Sequence, residues 1–108
     1  MSRARIAIVE PDLARCEAVQ TAIVARYPCA VVCVRQPDEL VDPACFTPDL
    51  LIVAATRLAA STSLIKEVMA SGGRVVRLGD GGSVGDDVQC GCEAVGELLT
   101  SRRDAGRD

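Results

Sequence analysis

The side chains able to do chemistry gather in a few short stretches. Glu10-Pro11-Asp12 places two carboxylates at the end of an apolar run. Such a pair can ligate a divalent cation through oxygen, or act as a turn acid followed by a helix N-cap; with no third ligand in sequence, the capping role is the simpler one. Asp80, Asp86 and Asp87 form a second acidic group, but they lack the alternating acids and terminal Glu of a calcium loop and read as a solvated loop. Cys90-Gly91-Cys92 is the one close cysteine pair; it is CxC rather than CxxC, and no second pair stands at zinc spacing. Ser61-Thr62-Ser63 suits a helix N-terminus, as hydroxyl caps or as a backbone cradle for phosphate. Lys66 is the only lysine among 12 basic residues, and histidine is absent. Histidine triads, histidine metal ligands and a phosphohistidine relay are therefore excluded.

These groups must be held by a small fold. With 108 residues, 49% of them hydrophobic and 25% charged, the chain is expected to build one core, a single domain over 1–103 with a polar tail over 104–108. Its apolar content is almost all aliphatic, with one Tyr, one Phe and no Trp, so stacking platforms for nucleic-acid bases are missing. A net charge of -3 opposes binding along a phosphate backbone. No run approaches the ~20 apolar residues of a membrane span. The start MSRARIAIVEPD has no apolar segment suited to export, so the expected setting is the cytoplasm, with Cys16, Cys29 and Cys33 acting as small buried hydrophobes.

Hydrophobic periodicity supplies the elements. Arg5 to Val9 reads as a buried strand, and Leu13, Cys16, Val19, Ile23 and Tyr27 mark one face of a helix stopped by Pro28. Ala30 to Val34 and Asp49 to Ala54 read as a second and third strand, apolar on both sides as a covered parallel sheet requires. Pro37, Pro43 and Pro48 punctuate the stretch between them, leaving room for a helical turn near Asp38 to Val41. Ser61 to Ser71 reads as a helix facing inward through Leu64, Ile65, Val68 and Met69 and stopped by Gly72-Gly73, and Arg74 to Leu78 as a fourth strand. Gly79 to Asp87 reads as a glycine-rich loop, Val88 to Cys90 as a short fifth strand, and Glu93 to Arg103 as a closing helix. The alternation predicts an α/β fold, a doubly wound, flavodoxin-like five-stranded parallel sheet in the order 2-1-3-4-5 with the helix between strands four and five lost or reduced. In such sheets ligands bind beyond the carboxyl ends of the strands, here at Glu10-Pro11-Asp12 and Ala54-Ala55-Thr56.

With RIAIVEPD before an amphipathic helix, PDLLIVA as the third strand and a closing helix, the chain resembles a bacterial response-regulator receiver domain over most of residues 5–103. That family places an acidic pair after strand one, a phosphoacceptor Asp ending strand three, a Thr or Ser ending strand four and a Lys ending strand five. Here Glu10 matches the first acid and Pro11 stands at the second, with Asp12 a replacement only if the turn shifts. Ala54 stands at the phosphoacceptor, Gly79 at the hydroxyl, and no lysine follows near Val88. Phosphoryl transfer to aspartate needs a carboxylate nucleophile, a divalent cation and a cation for the developing charge. The resemblance therefore implies a pseudo-receiver, non-enzymatic and without metal or cofactor, in bacterial two-component signalling.

Loss of the helix before strand five is expected to uncover apolar sheet, a feature that marks partner surfaces. The expected contact region comprises Gly79, Asp80, Val84, Asp86, Asp87, Val88, Leu98 and Arg102. Its expected occupant is a protein, whether a signalling kinase, a regulator or a second copy in a homodimer, and neither nucleic acid nor membrane. A different class of function remains open: a small cytosolic thiol, metal or ligand-binding protein using Cys90, Cys92 and the glycine-rich loop. The segment Ala59 to Met69 is also somewhat similar to the phosphate loop of a phosphotransferase-system IIB domain, although Ala54 and Ala55 stand where that family's cysteine would be.

Overall fold

Parallel pairing dominates the computed structural model, which describes residues 4–27, 29–34, 48–78 and 83–105. The helical turn expected near Asp38 to Val41, the loop residues Gly79 and Asp80, and the side chain of Arg102 lie outside the described residues. Four strands, β1 (Ala4–Val9), β2 (Cys29–Val34), β3 (Leu50–Ala54) and β4 (Arg74–Leu78), form one sheet in the order β2-β1-β3-β4. All three pairings are parallel, with Ile8 opposite both Cys33 and Ile52, and Ile52 opposite Val76. Asp49 ties the strand starts together: its backbone N–H donates to the Arg5 carbonyl, its side chain accepts from the Arg5 N–H, and its carbonyl accepts from the Arg74 N–H, all within 2.9 Å.

Period-two alternation divides the sheet's apolar residues between two layers. Ile6, Ile8, Leu50 and Ile52 face helices α1 (Leu13–Arg26) and α3 (Val84–Ala105), while Ala7, Val9, Leu51 and Val53 face α2 (Thr62–Ala70). Each fully buried Ile or Leu contributes about 1.5–3 kcal/mol. The central pair β1 and β3, from Ile6 to Val9 and from Leu50 to Val53, is completely buried and carries much of the core. Two 3-10 turns, Ala55–Arg57 and Ala59–Ser61, lead from β3 into α2. Gly72, at φ +87°, ends α2 in the left-handed conformation that glycine adopts without steric cost.

Several expectations need correction. Among the described residues there is no fifth strand, so the order 2-1-3-4-5 is not found; Val88 to Cys90 lie in the second turn of α3. The stretch taken as loop up to Asp87 turns helical at Val84. Its start is a reciprocal cap in which the Asp86 N–H donates to Ser83 Oγ at 3.2 Å and the Ser83 N–H donates to Asp86 Oδ2 at 3.4 Å. From there Val88, Cys92, Val95 and Leu99 recur at helical spacing against the core. Gly91 belongs to that face: a Cβ there would lie 2.8 Å from Val19 Cγ1, so the missing side chain lets α3 settle on α1.

Two apolar side chains expected inward point out: Leu13 is 48% exposed and Met69 62%. Leu13 opens α1, where side chains lean back toward the N-terminus and past the sheet, and Met69 follows Val68, which holds the buried position of that turn. Cys16 and Cys33, read as separate buried thiols, are joined as a disulfide between α1 and β2 with their Cα atoms 6.2 Å apart. Closing a loop of 17 residues in this way contributes about 3 kcal/mol by restricting the unfolded chain.

Candidate functional site

The carboxyl ends of β1 and β3 bring Glu10, Pro11, Asp12 and Ala54 to one end of the sheet. Glu10 sits one residue beyond β1 and is buried; its N–H donates to the Val34 carbonyl at 3.0 Å, and its Oε1 accepts from the Asp12 N–H at 3.0 Å. Asp12 is the N-cap of α1, where Oδ1 accepts from the N–H groups of Ala14 at 3.0 Å and Arg15 at 3.3 Å. The two acids thus act as turn acid and cap, with one oxygen of each already committed to backbone donors. Pro11 lies half-buried between them. Ala54 ends β3 opposite Leu78 and is 5% exposed, presenting a methyl group and no nucleophile.

Arg15 and Asp87 complete this end of the molecule. Arg15 Nη1 donates to Asp87 Oδ2 at 3.3 Å, and its Nε stands 3.9 Å from Asp12 Oδ2. Asp87 is 1% exposed, and its Oδ1 has no hydrogen-bond partner among the described residues. The guanidinium therefore bridges the starts of α1 and α3, joining two residues 72 positions apart in the chain. No local pattern could have paired them. Among the described residues no group of three or more acids and cysteines is arranged to hold a metal ion.

The residues expected at a contact surface divide. Val84, 40% exposed, and Asp86 are accessible at the start of α3, and Val88 is half-buried. Asp87 and Leu98 instead lie inside, the first paired with Arg15 and the second, 6% exposed, in the core beneath α3. Ser61 Oγ and Thr62 Oγ1 do not cap α2; they donate to the carbonyls of Arg57 at 2.6 Å and Ala59 at 2.9 Å, back into the 3-10 turns. Cys90 and Cys92 are two positions apart on a helix and face different sides. Cys92 is buried, while burial first, then the carboxylates of Glu93 and Asp87, push the Cys90 thiol up, against a reactive thiolate at neutral pH. Lys66 is exposed on α2. No helix among the described residues is long and apolar enough to cross a membrane.

No family model matches the chain, and no curated protein matches it. Among solved structures, the crystal structure of the phosphorylated cyanobacterial phytochrome response regulator RcpA aligns over 93% of this chain and 96% of its own, with a TM-score of 0.56 and 13% identity. At that identity the likeness shows the fold alone, a parallel sheet with flanking helices of the kind a response-regulator receiver has.

Proposed function

We propose that the chain is a receiver-like signalling module that works by contact with a protein partner and performs no phosphoryl transfer. The observation that carries this reading is Ala54, whose methyl group ends β3 where the receiver resemblance calls for the phosphoacceptor carboxylate. The surroundings agree with it. Glu10 and Asp12 are engaged by backbone N–H groups, and Arg15, a cation at this end, is held by Asp87 on α3. The starts of α1 and α3 are already joined by an ion pair between Arg15 and Asp87. The module is constitutive in this reading, and its output is surface shape.

The partner is a protein of bacterial signalling, a kinase, a regulator or a second copy. Of the contact region, Val84 and Asp86 at the exposed start of α3 remain available for it. The test is to incubate the full chain with acetyl phosphate and Mg²⁺ and to measure intact mass. The expected mass is unchanged; the stoichiometric addition of one phosphoryl group on an aspartate or glutamate overturns the reading.

A further inference from the structure

We propose that the outer edge of β4 is a strand-addition site for an extended acidic segment of a partner protein. This rests on the protein-contact reading above and names its mode. Among the described residues β4 pairs with β3 alone, so alternate backbone N–H and C=O groups along Arg74–Leu78 face outward with no strand to take them. The Cys90 thiol approaches this edge at 4.0 Å from the Arg77 carbonyl and is a weak donor. The opposite edge is better guarded, since Gln20 Nε2 donates to the Val31 carbonyl of β2 at 3.1 Å.

The side chains along this edge select the occupant. Val76 and Leu78 pack toward α3 and Val75 toward α2, so alternation puts Arg74 on the α3 face and Arg77 on the α2 face. Arg74 donates to Ser101 Oγ on α3 at 2.6 Å, which holds its guanidinium beside the edge. Both arginines are exposed, and neither has an ion-pair partner among the described residues. An incoming strand therefore meets half-buried Val75 and Val76 at the centre and a guanidinium on each face. A second copy is a poor fit, because pairing RVVRL antiparallel with itself over its full length sets Arg74 opposite Leu78 and Arg77 opposite Val75, which leaves both guanidiniums without an opposite charge across the pair. A segment with an apolar middle and flanking carboxylates satisfies both the backbone groups and the charge. Main-chain hydrogen bonds would supply affinity and the arginines would supply selection.

The test titrates the isotopically labelled full chain with the capped peptide EVTVE and, separately, with KVTVK, while amide shifts and hydrogen exchange are followed. The expected result is that EVTVE shifts and protects amides within 74–78, that added salt weakens the effect, and that KVTVK at equal concentration does nothing there. Arg77→Glu, at an exposed position, should move the preference toward KVTVK by roughly tenfold, the consequence of replacing an attractive contact with a repulsive one. Shifts confined to other surfaces, equal responses to both peptides, or a dimer that protects 74–78 without peptide each overturn the proposal. Failure here leaves the phosphorylation-free reading standing, whereas a phosphorylated carboxylate removes that reading without touching this edge.

Discussion

Replacing Gly91 by alanine puts the packing of α3 on α1 under direct test. In an open helix the change is favourable, by about 1 kcal/mol, because glycine is the weaker helix former. Here the new Cβ would stand 2.8 Å from Val19 Cγ1 and 3.4 Å from Ile23 Cδ1. Val19 is fully buried and short, so it cannot swing aside, and overpacking of this kind costs about 1–3 kcal/mol. The clash wins, and Gly91→Ala should lower stability by about 1 kcal/mol, equivalent to a fall of about 4–8 °C in Tm for a chain this size. Two controls bracket the result. At Gly85 the nearest atom is Ser83 Oγ at 3.7 Å, an ordinary contact, so Gly85→Ala should leave stability equal or higher. At Gly96 the obstacle is the Tyr27 hydroxyl at 2.9 Å, the far end of a half-buried side chain that can move, so that substitution should fall between the two. Val19→Ala should cost less in the Gly91→Ala background than alone, a coupling measurable by urea denaturation of all four chains. Equal stabilisation by Gly91→Ala and Gly85→Ala would show that α3 does not lie on α1 at this point and would refute the reasoning.

Three further outcomes follow from the site. Arg15→Met should cost about 2 kcal/mol by urea denaturation, less than the loss of a fully buried pair because the Arg15 side chain is 32% exposed, and Arg15→Met with Asp87→Leu should recover most of it; a silent Arg15→Met would show that the pair does not form. Ser83→Ala should cost about 1 kcal/mol and speed amide exchange over residues 84–87, since it removes half of the reciprocal cap; unchanged exchange there would place the helix start elsewhere. In the native chain Cys90 should alkylate more slowly at pH 7 than a free cysteine, with its rate rising only at a higher pH than a free thiol requires, because burial and the neighbouring carboxylates disfavour the thiolate. Fast modification at neutral pH would revive a thiol-based function.

How far residues alone reveal this molecule depends on the range of the interaction. The strand at Arg5 to Val9, the helix after Asp12 and the strand ending at Ala54 announce themselves through local apolar runs, a capping acid and prolines, and the structure places all of them as elements. The unbroken apolar runs of the two strands also anticipate cover on both faces, as the burial of Ile6 to Val9 and Leu50 to Val53 shows. The beginning of α3 was hidden because Gly81, Gly82, Gly85 and Gly91 weigh against a helix in any propensity sum. The signal that could have found it is Ser83-x-x-Asp86 followed by Val88, Cys92, Val95 and Leu99 at helical spacing; Gly91 is there for close approach rather than for a turn. The absence of a fifth strand among the described residues follows from the same point, since three residues in a strand cannot outweigh a helix that buries a continuous face.

At the site, Glu10 and Asp12 were legible as turn acid and cap, because the atoms that satisfy them lie within five residues. The Arg15 pair with Asp87 and the disulfide between Cys16 and Cys33 were not, because each joins elements whose adjacency exists only after folding. Asp87 is the instructive failure. As one of two adjacent acids in a glycine-rich stretch it reads as solvated, yet helix formation turns it inward while Asp86 remains outside.

The most direct test of the central claim is an amide-shift titration of the full chain with beryllofluoride and Mg²⁺, which together mimic a phosphorylated carboxylate. The account predicts no saturable change at residues 10–12 or 54–57, where one oxygen of each acid is committed and β3 ends in a methyl group. Saturable shifts at those residues that require both reagents would contradict it.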